Sequence, residues 1–356
     1  MLKLLRYLLF PFSLIFALIL WLRNWLFNKK VLRTIEFSIP IIGVGNLSVG
    51  GTGKTPMVEY LVQHFTKRPT AILSRGYKRR SKGFIIADEN STAVEIGDEP
   101  MQMHLKFPDL KVCVCEDRVF AIPDLLTVHP DVQIVVMDDA YQHRYLKPGL
   151  QILLTCYGDL YVNDWYLPTG NLRDLKSSSK RADIVIVTKC PPKMNKKLQL
   201  EISTLLNLEE RQKLFFSTIH YNKPYLIGNQ GNEIDLNSEM EILLVSGIAK
   251  VDSLEKYLAE EVMKIHYMKF SDHHFFKDND IGRIKIKYNS INALNKVILT
   301  TEKDATRLQI FSEKIKALGL KIYVLPIKMI FLTGEKDFLK DVDNYVDNCV
   351  DNLETP

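Results

Sequence analysis

The chain has 356 residues, of which 46% are hydrophobic and 25% charged, so it is long enough for two globular domains with buried cores. Its formal charge of +5 is small, and the basic residues are spread along the chain. This distribution argues against a nucleic-acid-binding protein and supports only a weak preference for anionic surfaces or substrates. The five cysteines form no C-x-x-C pair, which argues against a disulfide framework and indicates a reducing compartment.

The stretch from Tyr7 to Leu22 contains no charged residue, which predicts a membrane-associated helix within residues 1–28. Sixteen helical residues span about 24 Å, less than the roughly 30 Å of a bilayer core. This length is equally consistent with two arrangements. The helix could span the membrane if its ends snorkel or the bilayer thins, or it could lie in the interface. The following WLRNWLFNKK lacks the small-residue cleavage site of a signal peptide, and apolarity on all sides argues against a buried core helix. Its basic residues place the rest of the chain on the cytoplasmic side.

Short apolar runs then recur, each ending in glycine or polar residues. Their continuous apolarity is typical of strands buried on both faces, and helix-compatible stretches lie between several of them. The sequence therefore predicts an α/β fold, with a doubly wound parallel sheet of the P-loop NTPase type over residues 29–210. The predicted strands are IIGVGN (41–46), AILSRG (71–76), KVCVCED (111–117), VQIVVMDD (132–139), QILLTC (151–156) and DIVIVTK (183–189).

A second series of strands and helices predicts a smaller α/β domain over residues 211–356. The acidic tail DVDNYVDNCVDNLETP is predicted to form a closing helix with a frayed end. The predicted strands of this domain are KLFFSTIH (213–220), EILLVSGIA (241–249), the start of KVILTTEKDATRL (296–308) and KIYVLPIKM (321–329).

The segment GNLSVGGTGKT lies after a predicted strand and before a predicted helix, which is the context of a phosphate-binding loop. Its glycines let backbone N–H groups turn toward phosphates, and the N-terminus of the next helix favours negative charge. Lys54 is predicted to reach the β- and γ-phosphates of ATP, and Thr55 to present its hydroxyl to Mg²⁺. Ser48 stands where the general pattern has glycine. The predicted nucleotide-binding residues are Ser48, Val49, Gly50, Gly51, Thr52, Gly53, Lys54 and Thr55.

Acidic residues provide further candidates. Asp138 and Asp139 end a hydrophobic strand, where a P-loop enzyme holds a magnesium ligand, and the sequence leaves open which of them binds the ion. Asp98 lies in a turn, IGDEP, and His273 in FSDHHFF. A carboxylate paired with a neutral histidine could accept a hydroxyl proton near pH 7, although a histidine among aromatic residues is more often a packed one.

Three arginines lie next to glycine or acidic residues in apparent loops: Arg75 in SRGY, Arg118 in EDR and Arg173 in LPTGNLRD. The guanidinium fork suits phosphate, so these residues are candidate substrate contacts. Each of them alone is more typical of a surface ion pair.

Nine short motifs in a fixed order make the chain similar to the tetraacyldisaccharide 4'-kinase family of lipid A biosynthesis. The resemblance extends to about residue 308 and implies a P-loop α/β domain joined to a smaller α/β domain, with the active site between them. It also implies transfer of the γ-phosphate of ATP, with Mg²⁺, to the 4'-hydroxyl of an acylated glucosamine disaccharide 1-phosphate. The motifs are GNLSVGGTGKTP, SRGY, GDEP, EDR, MDDAYQH, LPTGNLR, SGIA, FSDHH and TEKDATRL.

The same resemblance assigns residues. Ser or Thr is common in the family at the position of Ser48, and a single histidine usually follows the aspartate, so His273 matches better than His274. Ala140-Tyr141 stands where Gly-Leu is common, and Asn171 where Pro is common. The assigned catalytic residues are Asp98, His273, Lys54 and Asp139, the magnesium ligands Thr55 and Asp138, and the substrate contacts Arg75, Arg118, Gln142 and Arg173.

The resemblance implies a monomer at the bacterial inner membrane, with its catalytic domains on the cytoplasmic face and a lipid as its partner. Two other hypotheses stay open from the sequence. One is a membrane-attached P-loop NTPase that acts as a switch or delivery factor for a protein partner. The other is a soluble metabolite kinase with a packed N-terminal helix.

Overall fold

A computed structural model of the chain describes residues 6–248 and 251–354. Residues 1–5 of the predicted membrane segment and Ala249 of the SGIA motif lie outside the described residues. The first part of the chain alternates strands with helices, as predicted. Its elements are α1 (Phe10–Asn28), β1 (Ile41–Asn46), α2 (Lys54–His64), β2 (Thr70–Ser74), β3 (Ile85–Ile86), α3 (Ala93–Ile96), α4 (Asp98–Lys106), β4 (Lys111–Val114), α5 (Arg118–Val128), β5 (Ile134–Met137), β6 (Leu150–Cys156), β7 (Ile184–Thr188), α6 (Lys196–Leu206) and β8 (Lys213–Tyr221).

The second part of the chain continues with shorter strands and ends in a long helix, which begins before the acidic tail. The elements of this second part are β9 (Tyr225–Leu226), β10 (Asn229–Glu233), β11 (Glu241–Ser246), α7 (Asp252–Glu261), β12 (Lys264–Lys269), α8 (Asp278–Asn289), β13 (Lys296–Thr301), α9 (Glu302–Leu308), α10 (Ser312–Ala317), β14 (Ile322–Leu325), β15 (Ile327–Phe331) and α11 (Glu335–Glu354).

The larger sheet has nine strands in the order β15-β8-β7-β6-β1-β5-β2-β4-β3. The strands from β8 to β4 run parallel, and only the edge strands β15 and β3 are antiparallel to their neighbours. Every residue of β1, β2, β5 and β7 is buried, which explains their continuous apolar sequences. The predicted doubly wound parallel sheet is confirmed.

The smaller sheet has six strands in the order β10-β9-β14-β13-β11-β12. The strands β14, β13, β11 and β12 are parallel, and β9 and β10 add an antiparallel edge. Its apolar core is separate from that of the larger sheet and centres on Leu243, Val245, Ile298 and Ile322. The chain therefore builds a second α/β unit.

The chain crosses between the two sheets twice, through β8 and β15. These strands lie on either side of the smaller sheet in sequence, yet they pair with each other in the larger one. The run KIYVLPIKM is two strands rather than the one predicted, because Pro326 separates β14 from β15 and has no N–H for a sheet ladder. The side chains of Phe338 and Val342 on α11 also pack into the larger core. The division between the sheets therefore does not coincide with the predicted boundary at residue 210.

Helix α1 buries Ser13, Asn24, Leu20 and Phe27 against the protein, whereas most of its large apolar side chains point outward. Ser13 Oγ donates to Thr169 Oγ1 at 2.8 Å, and Asn24 Nδ2 donates to Asp174 Oδ1 at 3.0 Å. A core helix would instead bury most of its apolar side chains. Among the described helices, α1 alone is long and apolar enough to cross a membrane. Its large exposed side chains are Phe12, Leu14, Ile15, Leu18, Ile19, Trp21, Leu22 and Trp25.

A buried charge cluster connects the larger sheet to the smaller one. Lys106 Nζ, at the end of α4, lies 2.6 Å from Glu59 Oε2 on α2 and 2.7 Å from Glu302 Oε1 on α9. Both glutamates are buried. Burial and then the charge of Glu302 raise the pKa of Glu59 to about 7, from 4.5 in an ordinary setting. The stability that protonated Glu59 contributes is therefore complete below pH 4.5 and is lost as the pH rises through 7.

Glu59→Gln should make the free energy of unfolding less dependent on pH. We expect the variant to unfold at a urea concentration close to that of the wild type at pH 5, and to be more stable by about 1–3 kcal/mol at pH 8. The reason is that glutamine cannot ionise, so Lys106 is left with Glu302 as a single neutralising partner. Glu313→Gln on the exposed surface is the control and should change neither value. Equal or lower stability of Glu59→Gln at pH 8 would contradict the explanation.

Candidate active site

The phosphate-binding loop and the acidic pair Asp138–Asp139 lie at the edge of the larger sheet where its parallel strands end. The phosphate-binding loop follows β1, and Asp138 and Asp139 follow β5, the strand next to it. Ligands of open α/β sheets usually bind at this edge. The topology therefore brings together segments that are about 90 residues apart in sequence.

The phosphate-binding loop is fixed by contacts with two neighbouring segments. Ser48 pairs with Leu172, and the amide of Val49 donates to the carbonyl of Asn171 at 2.8 Å. Thr188 Oγ1, at the end of β7, donates to the carbonyl of Thr52 at 2.8 Å. Residues of the LPTGNLR motif thus form one wall of the loop, which the sequence motif alone does not reveal.

Gly50 and Gly53 give the loop its turn, with φ angles of +110° and +88° that other residues rarely adopt. Lys54 and Thr55 follow in the first turn of α2, where free backbone N–H groups favour an anion. The loop therefore has the geometry of a phosphate cradle.

Asn46, which the sequence analysis did not select, is the polar centre of the site. It is fully buried, and its side-chain Nδ2 donates to Thr52 Oγ1 at 2.7 Å. Its Oδ1 accepts hydrogen bonds from Lys54 and Arg173, and its backbone carbonyl accepts one from Gln142 Nε2 at 2.7 Å. A polar residue that ends a strand directly before a phosphate loop is the signal that could have identified it.

Asp139 is held as a carboxylate by two cations. Arg173 donates to both of its oxygens, with Nη1 at 2.9 Å from Oδ2, and Lys54 Nζ lies 3.5 Å from Oδ1. Burial alone would raise the pKa of Asp139, but the hydrogen bonds from Arg173 and the charge of Lys54 hold it well below its usual range. Its φ of +51° is strained for a non-glycine residue, a feature often found at functional sites.

Asp138 has the opposite environment. It is buried, and its Oδ1 has no hydrogen-bond partner among the described residues. Burial, and then the negative charges of Glu99 and Asp139, raise the pKa of Asp138 to about 7. An unsatisfied carboxylate oxygen among like charges is a position that a cation would stabilise.

These features fit Mg²⁺ bound together with a nucleotide. Within residues 6–248 and 251–354, no group of three or more His, Cys, Asp or Glu side chains could hold a metal by itself. Mg²⁺ commonly takes one or two protein ligands and completes its shell with phosphates and water. The unsatisfied buried oxygen of Asp138 fits this role, and Thr55 carries a hydroxyl in the first turn of α2.

Asp98 and His273 meet across the two units of the chain. Asp98 is the first residue of α4, and its Oδ2 lies 2.8 Å from His273 Nδ1 in the loop after β12. The ring of Tyr77, from the SRGY motif, contacts His273 edge-on at 5.6 Å between centroids. His273 also has a left-handed φ of +59°. His274 points elsewhere, with Nε2 at 2.9 Å from Asp280 Oδ2.

The four predicted substrate contacts differ in accessibility. Arg173 and Gln142 are half-buried and bonded to Asp139 and Asn46, as described above. Arg118 is buried; its Nη2 donates to the carbonyl of Asp138 at 3.3 Å, and its Nε has no partner among the described residues. Burial lowers the pKa of Arg118. Arg75 is exposed.

Comparison with known proteins connects this geometry to a family. The profile of the tetraacyldisaccharide-1-P 4'-kinases matches residues 5–347. A tetraacyldisaccharide 4'-kinase of Flavobacterium johnsoniae is 44% identical over 354 residues, covering 99% of both chains. One of Bacteroides thetaiotaomicron is 42% identical over 354 residues, covering 95% of this chain and 92% of the other.

Among solved structures, LpxK from Aquifex aeolicus, in a crystal structure described as an apo form in complex with ATP, superimposes with a TM-score of 0.73. It shares 29% sequence identity and is matched over 96% of this chain and 99% of its own. The similarity therefore extends through both sheets.

Asp138→Asn should raise the Mg²⁺ concentration needed for half-maximal ATP binding by about tenfold or more, because the amide offers the cation a neutral oxygen. Titration calorimetry with ATP at stepped Mg²⁺ concentrations measures this change. Asp347→Asn, in an exposed ion pair with Arg68, is the matched control. An unchanged Mg²⁺ requirement in Asp138→Asn would remove this residue from the metal site.

Proposed function

Because this chain belongs to the tetraacyldisaccharide 4'-kinase family, we propose that it transfers the γ-phosphate of ATP to the 4'-hydroxyl of tetraacyldisaccharide 1-phosphate in lipid A biosynthesis. The observation that carries the proposal is the Asp98–His273 pair, at 2.8 Å, in a chain that also forms a phosphate-binding loop. A molecular switch needs the loop but has no use for a base directed at a second substrate. The family relationship likewise does not favour a switch or delivery factor.

The phosphate-binding loop and Lys54 would hold the nucleotide. Backbone N–H groups of the loop and the N-terminus of α2 face the phosphates, while the ammonium of Lys54 stabilises charge on the transferring group. Lys54 contacts Asp139 and Asn46, which lie at the edge of the sheet where the phosphates would bind. Thr55 and Asp138 would hold Mg²⁺, which would supply neutralisation of phosphate charge.

Asp98 would accept the proton of the 4'-hydroxyl. As that proton moves to the carboxylate, the 4'-oxygen forms a bond to the γ-phosphorus, and the bond from phosphorus to the β–γ bridging oxygen breaks. ADP leaves with the electron pair of that bond. His273 would orient Asp98 through its Nδ1–H and stabilise the ionised carboxylate before transfer.

The cationic and amide groups around the site would bind the acceptor. Arg75, Arg118 and Arg173 offer guanidinium groups to the phosphate of the disaccharide, and Gln142 offers an amide to its sugar. The unpartnered Nε of buried Arg118 supports this role, since an orphaned donor gains a partner when an anion enters.

Helix α1 would attach the protein, as a monomer, to the cytoplasmic face of the inner membrane. Its outward face carries exposed leucines, isoleucines and tryptophans, whereas Ser13 and Asn24 are hydrogen-bonded to the protein body eleven residues apart. Because one side of the helix is covered by protein along this length, we infer that α1 lies in the interface rather than spanning the bilayer. The acceptor lipid is then within reach of the site.

Asp98→Asn and His273→Ala should each lower lipid phosphorylation by about 100-fold or more, while ATP binding changes little. The first variant loses the proton acceptor and the second loses the ring that orients it, but both keep the phosphate loop. Turnover is measured with γ-labelled ATP and tetraacyldisaccharide 1-phosphate by thin-layer chromatography, and ATP affinity by calorimetry. Asp109→Asn and His220→Ala, both exposed, are controls. ATP hydrolysis without a labelled lipid in the wild type would reject the proposed function.

Leu14→Asp combined with Leu18→Asp should reduce binding to vesicles of phosphatidylethanolamine and phosphatidylglycerol by about tenfold or more, since it places two charges on the apolar face. Activity toward detergent-dispersed substrate should persist, because neither side chain supports the active site. Leu294→Asp, at a still more exposed leucine far along the chain, is the control. Unchanged vesicle sedimentation would show that α1 is not the attachment surface.

A further inference from the structure

The TEKDATRL motif contributes a cation to the catalytic pair. Lys303, the second residue of α9, has its Nζ 3.4 Å from His273 Nε2. The same ammonium lies 3.3 Å from Glu99 Oε1, which holds it in place. Glu99 belongs to α4, so Lys303 connects the helix that carries Asp98 with the ring that faces Asp98.

The two ring nitrogens of His273 therefore face groups of opposite character. Nδ1 faces the carboxylate of Asp98, which in its ionised form can only accept a hydrogen bond. Nε2 faces the ammonium of Lys303, which can only donate one. The contacts are mutually consistent only when Nδ1 carries the hydrogen and Nε2 is an unprotonated acceptor.

Among the described residues, Asp272 is the group that competes at Nε2. Its Oδ2 is 3.7 Å away, beyond hydrogen-bond distance, and its side chain is 44% exposed. A bond to Asp272 would require a hydrogen on Nε2 and hence a doubly protonated ring. Lys303 is closer, and Glu99 tethers it, so the ammonium determines the state of Nε2.

Asp98 has a cation of its own from the same helix. Arg307 is buried, and its Nε lies 3.7 Å from Asp98 Oδ2. Its guanidinium also donates to Asp304 Oδ1 and to the carbonyl of His274, which fixes the His273 loop against α9. Helix α9 thus supplies a cation to each member of the pair: Lys303 to His273 and Arg307 to Asp98.

We propose that Lys303 is a positioning residue that fixes the Nδ1–H tautomer of His273 and so leaves Asp98 as the group that accepts the substrate proton. With Nδ1 bonded to Asp98 and Nε2 to Lys303, His273 has no free acceptor of its own. The inference rests on the proposed kinase function, because it concerns the base of that reaction. It assigns a role to a motif that the mechanism above does not use.

Nitrogen NMR of the protein labelled with ring-¹⁵N histidine tests this directly. The chain has eight histidines, and loss of a signal pair in His273→Gln assigns the residue. In the wild type we expect a protonated Nδ1 and an unprotonated Nε2. Lys303→Met, which keeps an unbranched side chain only one atom shorter and removes its charge, should shift the Nε2 signal toward the protonated form.

The kinetic expectation is a fall in kcat of about tenfold or more for Lys303→Met, with the KM for ATP within about twofold of the wild type. Lys303→Arg retains a donor and should recover most of kcat and the wild-type signal. Lys316→Met, at an exposed ion pair with Glu313, is the control and should leave signals and kinetics unchanged. Far-ultraviolet circular dichroism checks that each variant is folded.

A wild-type spectrum with a protonated Nε2 would overturn the inference, whether or not any variant folds. So would a Lys303→Met protein that keeps both the wild-type signals and kcat. If the wild type shows the expected signals but phosphorylates no lipid, the proposed function fails and the tautomer assignment is still supported. The two proposals can therefore be rejected separately.

Discussion

The hydrogen bond between Asp98 and His273 is the contact on which the arrangement of the site depends. It joins residues 175 positions apart, one at the start of a helix beside the larger sheet and one in a loop of the smaller sheet. Neither unit contains the pair alone. The Lys106 bridge between Glu59 and Glu302 lies at the other end of α4, so the helix is held against the smaller sheet at both termini.

Charge balance explains why the two adjacent aspartates after β5 differ. Arg173 and Lys54 neutralise Asp139, whereas Asp138 faces Glu99 and keeps an unsatisfied oxygen. The cations that contact the two carboxylates thus lie around Asp139, and the unsatisfied carboxylate oxygen belongs to Asp138. A magnesium–nucleotide complex, with both signs of charge, is complementary to this distribution.

The segment of the LPTGNLR motif connects the apolar helix α1 to the phosphate loop. Thr169 and Asp174 bind the polar face of α1, and between them Asn171 and Arg173 contact Val49 and Asp139. This short segment thus sets the distance between the active site and the apolar surface of α1. For an enzyme whose acceptor is a lipid headgroup, this short connection fixes how far the acceptor hydroxyl must extend from the apolar surface to reach the active site.

The sequence by itself determined the parallel sheet, the phosphate loop and the apolar helix, because each depends on local patterns: continuous buried strands, glycine spacing, and a run without charge. It also paired Asp98 with His273, but only through resemblance to a family, since no local rule relates residues so far apart. The structure alone decided that β15 returns to the larger sheet after Pro326, that Asn46 is the polar centre, and that Lys303 faces His273. These features arise from packing between distant segments, and a one-dimensional pattern records no such distances.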